Sequence, residues 1–273
     1  MGGREKVTGM DVIDIHTHAF PDALAARAIP ALEEEAHWKA ALDGTIGALL
    51  GSMDAAGVAV SVVCAIATKP DQVAGIFDWC GRIRSDRIVP FPSIHPDTPN
   101  AAGWLKRFAD EGFGGIKLHP MYQDFAIDDA RAMPIYAAAA DCGLVVQVHC
   151  GRDIAFPPDD DRATPQRTRR VLDAVGGLKF IATHMGGWRM WDESEALLVG
   201  TGAYLETSFS LHELPPQRAV AMIRRHGVDR ILFGTDSPWA GQTAELDAIG
   251  ALGLTNDERE RILFANAAAL LGR

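Results

Sequence analysis

Apolar positions in this 273-residue chain fall into eight short β-branched runs. They are VIDIH from Val12, VAVSVVCAI from Val58, IVPFPSI from Ile88 and GGIKLH from Gly114. LVVQVH from Leu144, LKFIATH from Leu178, AYLETSFS from Ala203 and RILFGTD from Arg230 follow. Successive starts lie 46, 30, 26, 30, 34, 25 and 27 residues apart. A strand, a helix and two loops fill such an interval, whereas strands of a β-sandwich recur every ~8–12 residues. Between the runs lie helix-like stretches: Ala74 to Asp86, Ala130 to Gly143 and Pro215 to Gly227. Gly57, Gly143 and Gly227 follow helical stretches as C-caps do. Thr255 and Glu258 have the spacing of a capping box and open a closing helix with Ile262, Leu263 and Leu270 inward. The long first interval predicts a helical insertion over roughly Asp22 to Leu42 after the first strand.

Eight strands alternating with helices predict an α/β fold, a (β/α)8 barrel, as a single domain over residues 1–273. The length alone would also suit two domains, but barrels of ~250 residues are common and no linker or low-complexity tract divides the chain. An open doubly wound sheet would place a glycine-rich phosphate turn after the first strand. His16 and His18 stand there instead.

Composition narrows the function. Hydrophobic residues make up 48% and the net charge is −10, so the chain is globular and a poor match for the phosphates of a nucleic acid. No run approaches the ~18 apolar residues of a membrane span, and MGGREKVTGM carries no apolar leader segment. Cys64, Cys80, Cys142 and Cys150 form no CxxC pair and read as reduced core residues. A cytoplasmic protein is the expectation.

The chemistry gathers at the ends of the predicted strands, where a barrel carries its active site. His16 and His18 are two apart and share one side of the first strand, a common way to hold a divalent metal. His149 ends the fifth run, His184 the sixth and Asp236 the eighth. Histidine with carboxylate suits Zn2+, and also Mn2+ or Fe2+. Lys117 and His119 share a face of the fourth run. Arg152, Trp188, Arg189, Trp191 and Trp239 follow strand ends and are expected at the rim. An Arg beside aromatic surfaces suits a carboxylate on a ring or an unsaturated acid. His95 ends the third run, and Cys150 points away from His149 as packing. His37, His212 and His226 read as structural or solvated.

These motifs resemble the amidohydrolase superfamily, in particular its amidohydrolase-related branch of small metal-dependent hydrolases and decarboxylases. The likeness rests on DIHTHAF from Asp14, GIKLHP from Gly115, VQVHCG from Val146, THMGG from Thr183, FGTDSPW from Phe233 and the closing FANAAALLG. The resemblance implies a TIM barrel with one divalent metal ion held by His16, His18, His149 and Asp236. It gives Asp236 the further role of general base, and His184 a second-metal, substrate-polarising or proton-shuttling role. Binuclear relatives bridge two metals with a carboxylated Lys or a Glu on strand four, where this chain has Lys117. Lys117 as a plain ammonium, and His119, Arg152, Trp188 and Trp239, are expected to bind substrate. A homodimer is implied as well.

The expected function is a metal-dependent hydrolase of a small amide, ester, lactone or activated C–C bond. Metal-activated water would be the nucleophile, with Asp236 as base and His184 at the developing oxyanion. Non-oxidative decarboxylation of an aromatic or unsaturated acid is the alternative, and it uses the same ligands. A non-catalytic metal- or ligand-binding barrel is the alternative from another class.

Overall fold

The computed structural model describes residues 11–273; the expectation for MGGREKVTGM falls outside them. The strands are β1 (Ile13–Thr17), β2 (Val60–Cys64), β3 (Ile88–Phe91), β4 (Gly115–Leu118), β5 (Val145–Val148), β6 (Lys179–Ala182), β7 (Tyr204–Glu206) and β8 (Ile231–Leu232). Two helices, α1 (Asp22–Ala36) and α2 (Ile46–Ala56), separate β1 from β2. α3 (Val73–Ile83), α4 (Ala101–Asp110), α5 (Met133–Asp141), α6 (Pro165–Ala174) and α7 (Trp191–Leu197) then alternate with strands. α8 (Pro216–His226) precedes β8, and α9 (Gln242–Gly250), α10 (Asn256–Glu260) and α11 (Asn266–Leu271) follow it. All strand pairs are parallel. The helix expected from Asp22 is therefore present as α1, an addition to the regular alternation.

The ladders form two sheets, β1–β2–β3 and β4 through β8. Single hydrogen bonds bridge both seams of the α/β barrel. At one seam Lys117 N donates to Pro92 O (2.9 Å) and Ser93 Oγ to Lys117 O (2.8 Å). At the other, Ile15 N donates to Phe233 O (2.9 Å) and Asp236 N to His16 O (2.8 Å). Three residues singled out from the sequence, His16, Lys117 and Asp236, thus sit on the seams.

Alternation along each strand divides the core in two. Val146 and Val148 of β5 and Phe180 and Ala182 of β6 join the large apolar cluster that also holds the helices' buried faces. Their neighbours Val145 and Ile181 join a smaller cluster with Ile13, Ile15, Val62 and Leu232, which Ala267 and Ala268 of α11 pack against. Burial of apolar side chains at ~1.5–3 kcal/mol each is the main driving force for both.

Local signals hold where they have a mechanism. Thr255 Oγ1 accepts from Glu258 N (3.2 Å) and Glu258 Oε2 from Thr255 N (2.8 Å), closing the capping box. Gly57 ends α2 at φ 76°, a left-handed turn that glycine adopts without strain. Ile262 and Leu263 are buried and Leu270 half-buried. Several boundaries differ from the sequence pattern, among them the end of α1, at Ala36 rather than Leu42. α5 begins at Met133 rather than Ala130, with Pro134 in its first turn, because proline fits only the start of a helix. β8 pairs over two residues only, because the chain beyond it leaves the ladder and reaches Asp236 at φ 61°.

Candidate active site

β1 delivers His16 and, just past its end, His18. The register against β2 shifts between Asp14 and Thr17, and His16 Nε2 and His18 Nε2 lie 3.1 Å apart. Asp236 Oδ1 lies 3.3 Å from His16 Nε2 and 3.2 Å from His18 Nε2. The other ring nitrogens are occupied. His16 Nδ1 faces Glu206 Oε1 (3.1 Å), and His18 Nδ1 faces the carbonyl of Cys64 (2.7 Å). Because both partners accept, both Nδ1 atoms carry a hydrogen. Burial, with Lys117 and His18 adding to it, holds the His16 imidazole well below its ordinary pKa, so His16 is neutral and its Nε2 is a lone pair. Two imidazole nitrogens and a carboxylate oxygen converging in this way attract a positive group, and Lys117 Nζ already stands 2.9 Å from His16 Nε2. The donor set fits a divalent transition metal in type, with His nitrogen and Asp oxygen.

His184 and His149 repeat the motif. His184 Nε2 and His149 Nδ1 lie 3.2 Å apart. His184 Nδ1 faces Ser208 O (3.1 Å) and His149 Nε2 faces Arg152 O (3.1 Å), so the facing atoms are again lone pairs. His149 is not part of the His16–His18–Asp236 triplet; it falls in a third group with His119 and Asp153. His149 stacks on His119 (centroids 4.2 Å apart, 19°). His119 Nε2 lies 3.3 Å from Asp153 Oδ2.

Burial raises the Asp236 carboxyl, but the His18 contact and the field of His18, His184 and Lys117 outweigh it and hold the group below its ordinary value. His119 and His149 are both held well below the usual imidazole value, first by burial and then by neighbouring cations and rings. Asp14, fully buried, is pushed up to about 7 by burial despite hydrogen bonds from Gln242, Thr235 and the His16 amide. It accepts from Thr235 Oγ1 (2.7 Å), Gln242 Nε2 (2.9 Å) and His16 N (3.2 Å), and so ties β1 to the β8 loop. His184 (φ 57°) and Asp236 (φ 61°) both adopt left-handed backbone, which costs a non-glycine residue ~1–3 kcal/mol. Phe209 of the pocket wall shares this backbone (φ 57°), and strain at these three residues fits a site held in place by its surroundings.

The pocket over this floor has aromatic walls: Phe20, Tyr122, Trp188, Phe209 and Trp239. α1 adds Leu32 and Ala36, so the insertion forms part of the enclosure. Trp38, just after α1, donates its Nε1 to Trp239 O (3.2 Å). Arg152 and Asp153 stand at the lining beside His119.

The structure therefore brings His16, His18, His149, His184 and Asp236 together, with His119, Arg152, Trp188 and Trp239 around them. It places Lys117 differently. Lys117 is fully buried with Nζ 2.9 Å from His16 Nε2, behind the lining rather than in it. Arg189 turns outward, stacked 4.0 Å over Trp188 and paired with Glu213. Trp191 supports His184 by donating to its carbonyl (3.1 Å). His95 accepts Asp97 N in a turn (3.1 Å), and His226 links Gly200 N to Ala203 O. Cys150 is buried, its thiol pushed up to about 12 by burial, as a packing residue would be. Sequence reasoning missed Asp14, Asp153, Glu206 and Ser208. Asp14 stood inside the quoted motif DIHTHAF and Asp153 two residues past VQVHCG, and Glu206 and Ser208 inside the seventh run, where a buried carboxylate in a strand was the available signal.

A family model described as amidohydrolase matches residues 13–273. The chain belongs to that amidohydrolase family. No curated protein sequence matches it. Among solved structures, an uncharacterised TIM-barrel protein from Bordetella bronchiseptica superposes with TM-score 0.73 at 21% identity, over 97% of this chain and 100% of that one. A dihydroxybenzoic acid decarboxylase from a Polaromonas species, with bound manganese and the inhibitor 2-nitroresorcinol, gives 0.70 at 17% identity, over 97% of each chain. A putative 2-pyrone-4,6-dicarboxylic acid hydrolase from Pseudomonas putida gives 0.67 at 19% identity, over 97% and 98%. At these identities the likeness establishes the shared TIM-barrel fold. Among the described residues no helix is long and apolar enough to cross a membrane.

Proposed function

We propose that this chain is a single-domain metal-dependent hydrolase acting on a small amide, ester or lactone. The observation that carries the reading is the convergence of His16 Nε2, His18 Nε2 and Asp236 Oδ1 within 3.3 Å, with His18 and Asp236 in the pocket lining and His16 behind them. His16, His18, Asp236 and His149 would hold one divalent ion, Zn2+ or a related metal such as the manganese of the Polaromonas neighbour. When bound, such an ion supplies Lewis acidity to a substrate oxygen and brings the pKa of water toward about 7.

The chain's own groups handle the protons. Asp236, held ionised below its ordinary value, accepts a proton at its carboxylate and returns it to the leaving group. His184 has its lone pair at Nε2 and its Nδ1 tied to Ser208 O, which fits a proton shuttle better than an oxyanion donor in this state. Trp188, Phe209 and Trp239 hold a flat substrate and exclude water, and Arg152 offers its guanidinium to a substrate carboxylate.

A second reading is non-oxidative decarboxylation of an aromatic acid. It is favoured by the aromatic lining with Arg152 as its one Lys or Arg side chain among the described residues, and by the decarboxylase among the neighbours. Reconstituted protein incubated with lactones, esters and hydroxybenzoates in 18O-labelled water separates the two. Label entering a carboxylic acid product supports hydrolysis. Carbon dioxide release without label supports the lyase. Metal-loaded protein that turns over no member of the panel would favour a binding barrel.

A further inference from the structure

We infer that Glu206 is a positioning residue that orients His16 and His184 at once, so that each turns its Nε2 toward the neighbouring cluster, His16 toward His18 and Asp236 and His184 toward His149. The inference rests on the proposed reading for its functional consequence, but its geometry stands alone. Glu206 ends β7 and is fully buried. Its Oε1 accepts from His16 Nδ1 (3.1 Å), the His184 amide (2.8 Å) and Ser208 Oγ (2.7 Å). Its Oε2 accepts from Ser208 N (2.7 Å). Four donors thus converge on one carboxylate, three on Oε1 and one on Oε2.

The consequences reach three strands. On β1, the acceptor at Nδ1 fixes the His16 tautomer and aims its Nε2 inward. Past β6, the bond to the His184 amide stabilises a residue whose φ of 57° is unfavourable for a side chain. Ser208 is drawn in by two bonds to the same carboxylate and places Oγ 2.9 Å and its carbonyl 3.1 Å from His184 Nδ1. Past β8, Gly234 leaves the room this requires. A Cβ there would collide with Glu206 Oε2 and stand 3.0 Å from His16 Cβ. The glycine two residues before Asp236 is thus explained by a carboxylate on the neighbouring strand.

Glu206→Leu tests the assignment, because it removes both carboxylate oxygens at similar size, whereas Glu206→Gln can keep its oxygen at the Oε1 position and leave His16 undisturbed. Without the carboxylate, His16 Nδ1 keeps only Ser208 Oγ, 3.2 Å away. We expect nitrogen NMR of histidine-labelled, metal-free wild type to show His16 protonated at Nδ1, and Glu206→Leu to show both tautomers populated. Mn2+ affinity by calorimetry is expected to fall by roughly 10–100-fold, the range for outer partners of metal-ligating histidines. Ser208→Ala is expected to leave the His16 tautomer unchanged, since Glu206 still reaches it.

Wild type with His16 protonated at Nε2 would overturn the assignment whether or not the variant folds. So would a folded Glu206→Leu protein with the wild-type tautomer and Mn2+ affinity. If wild type binds no Mn2+ or Zn2+, the metal reading fails while the tautomer still decides the role of Glu206.

Discussion

Two clusters of the same residue types sit a few ångströms apart in this barrel, and their protons are placed in opposite ways. On the β1–β8 side, His16 and His18 spend their Nδ1 hydrogens on Glu206 and the Cys64 carbonyl. Their remaining nitrogens face each other and Asp236. On the β4–β5 side, His119 turns Nε2 toward Asp153 Oδ2 (3.3 Å) and receives Tyr122 N at Nδ1 (3.5 Å). The first cluster gathers ring nitrogens and a carboxylate oxygen beside one donor, Lys117 Nζ; the second is a set of donors matched to acceptors. Both groups pass a distance criterion for metal binding. Only the hydrogen bonds behind the rings tell them apart, and His149, with Nε2 on a carbonyl and Nδ1 facing His184, joins the two.

The largest effect should come from breaking the first cluster. His16→Ala or Asp236→Ala is expected to abolish stoichiometric metal, a greater loss than the roughly 10–100-fold of an outer partner, and activity with it. The barrel should remain folded, since neither side chain belongs to the apolar clusters. Elemental analysis and circular dichroism of the two variants check this. Wild-type protein without a transition metal after reconstitution would remove the distinction between the clusters.

How much of this was legible in the sequence follows the same division. Strand spacing and β-branched runs foretold the barrel because burial on both faces of parallel strands leaves a continuous apolar signature. The ligand candidates were legible because they end strands, and strand ends share one face of the barrel. The groups that set their protons were not. Glu206 meets His16 across 190 positions of sequence, and no local period marks such a pairing. Lys117 shows the limit from the other direction. Its shared face with His119 suggested a pocket residue, but β4 lies at a seam, and the side chain runs beneath the lining to His16. The short β8 has a similar origin. Its run continued to Asp236, but the left-handed backbone that aims Asp236 is incompatible with a ladder.

A second effect concerns the carboxylates that crowd the β1–β8 side. Glu245 on α9 is fully buried, and burial, with Glu206, Asp14 and Asp236 adding to it, pushes its carboxyl up to about 8. His212 Nε2 lies 3.0 Å from Oε1 but off the line of a hydrogen bond, so both oxygens stay without one. The folded state therefore holds a proton that the unfolded chain, with an ordinary value of 4.5, releases. This contribution is fully present below pH 4.5 and is lost as pH rises toward 8. At ~1.4 kcal/mol per pKa unit its upper bound is about 5 kcal/mol. Glu245→Gln should melt close to wild type at pH 4.5 and several degrees above it at pH 8.5. A pH-independent difference between the two melting curves would mean that Glu245 is ionised in the fold.

The smallest expected effect is the sharpest test of the comparison. Asp153→Asn removes a charge from the β4–β5 cluster but keeps an oxygen that can accept from His119. If that cluster is a matched hydrogen-bond pair, metal stoichiometry is unchanged and affinity shifts by less than about fivefold, the worth of one ordinary hydrogen bond. If it is instead a cation site, the variant loses a full equivalent of metal while His16 and His18 keep theirs. Calorimetric titration of metal-stripped wild type and Asp153→Asn with Mn2+ reads the difference directly. A lost equivalent would mean that a carboxylate beside two imidazoles outweighs the hydrogen-bond acceptors already serving those rings, and the proton placement that separates the clusters would no longer predict which one binds.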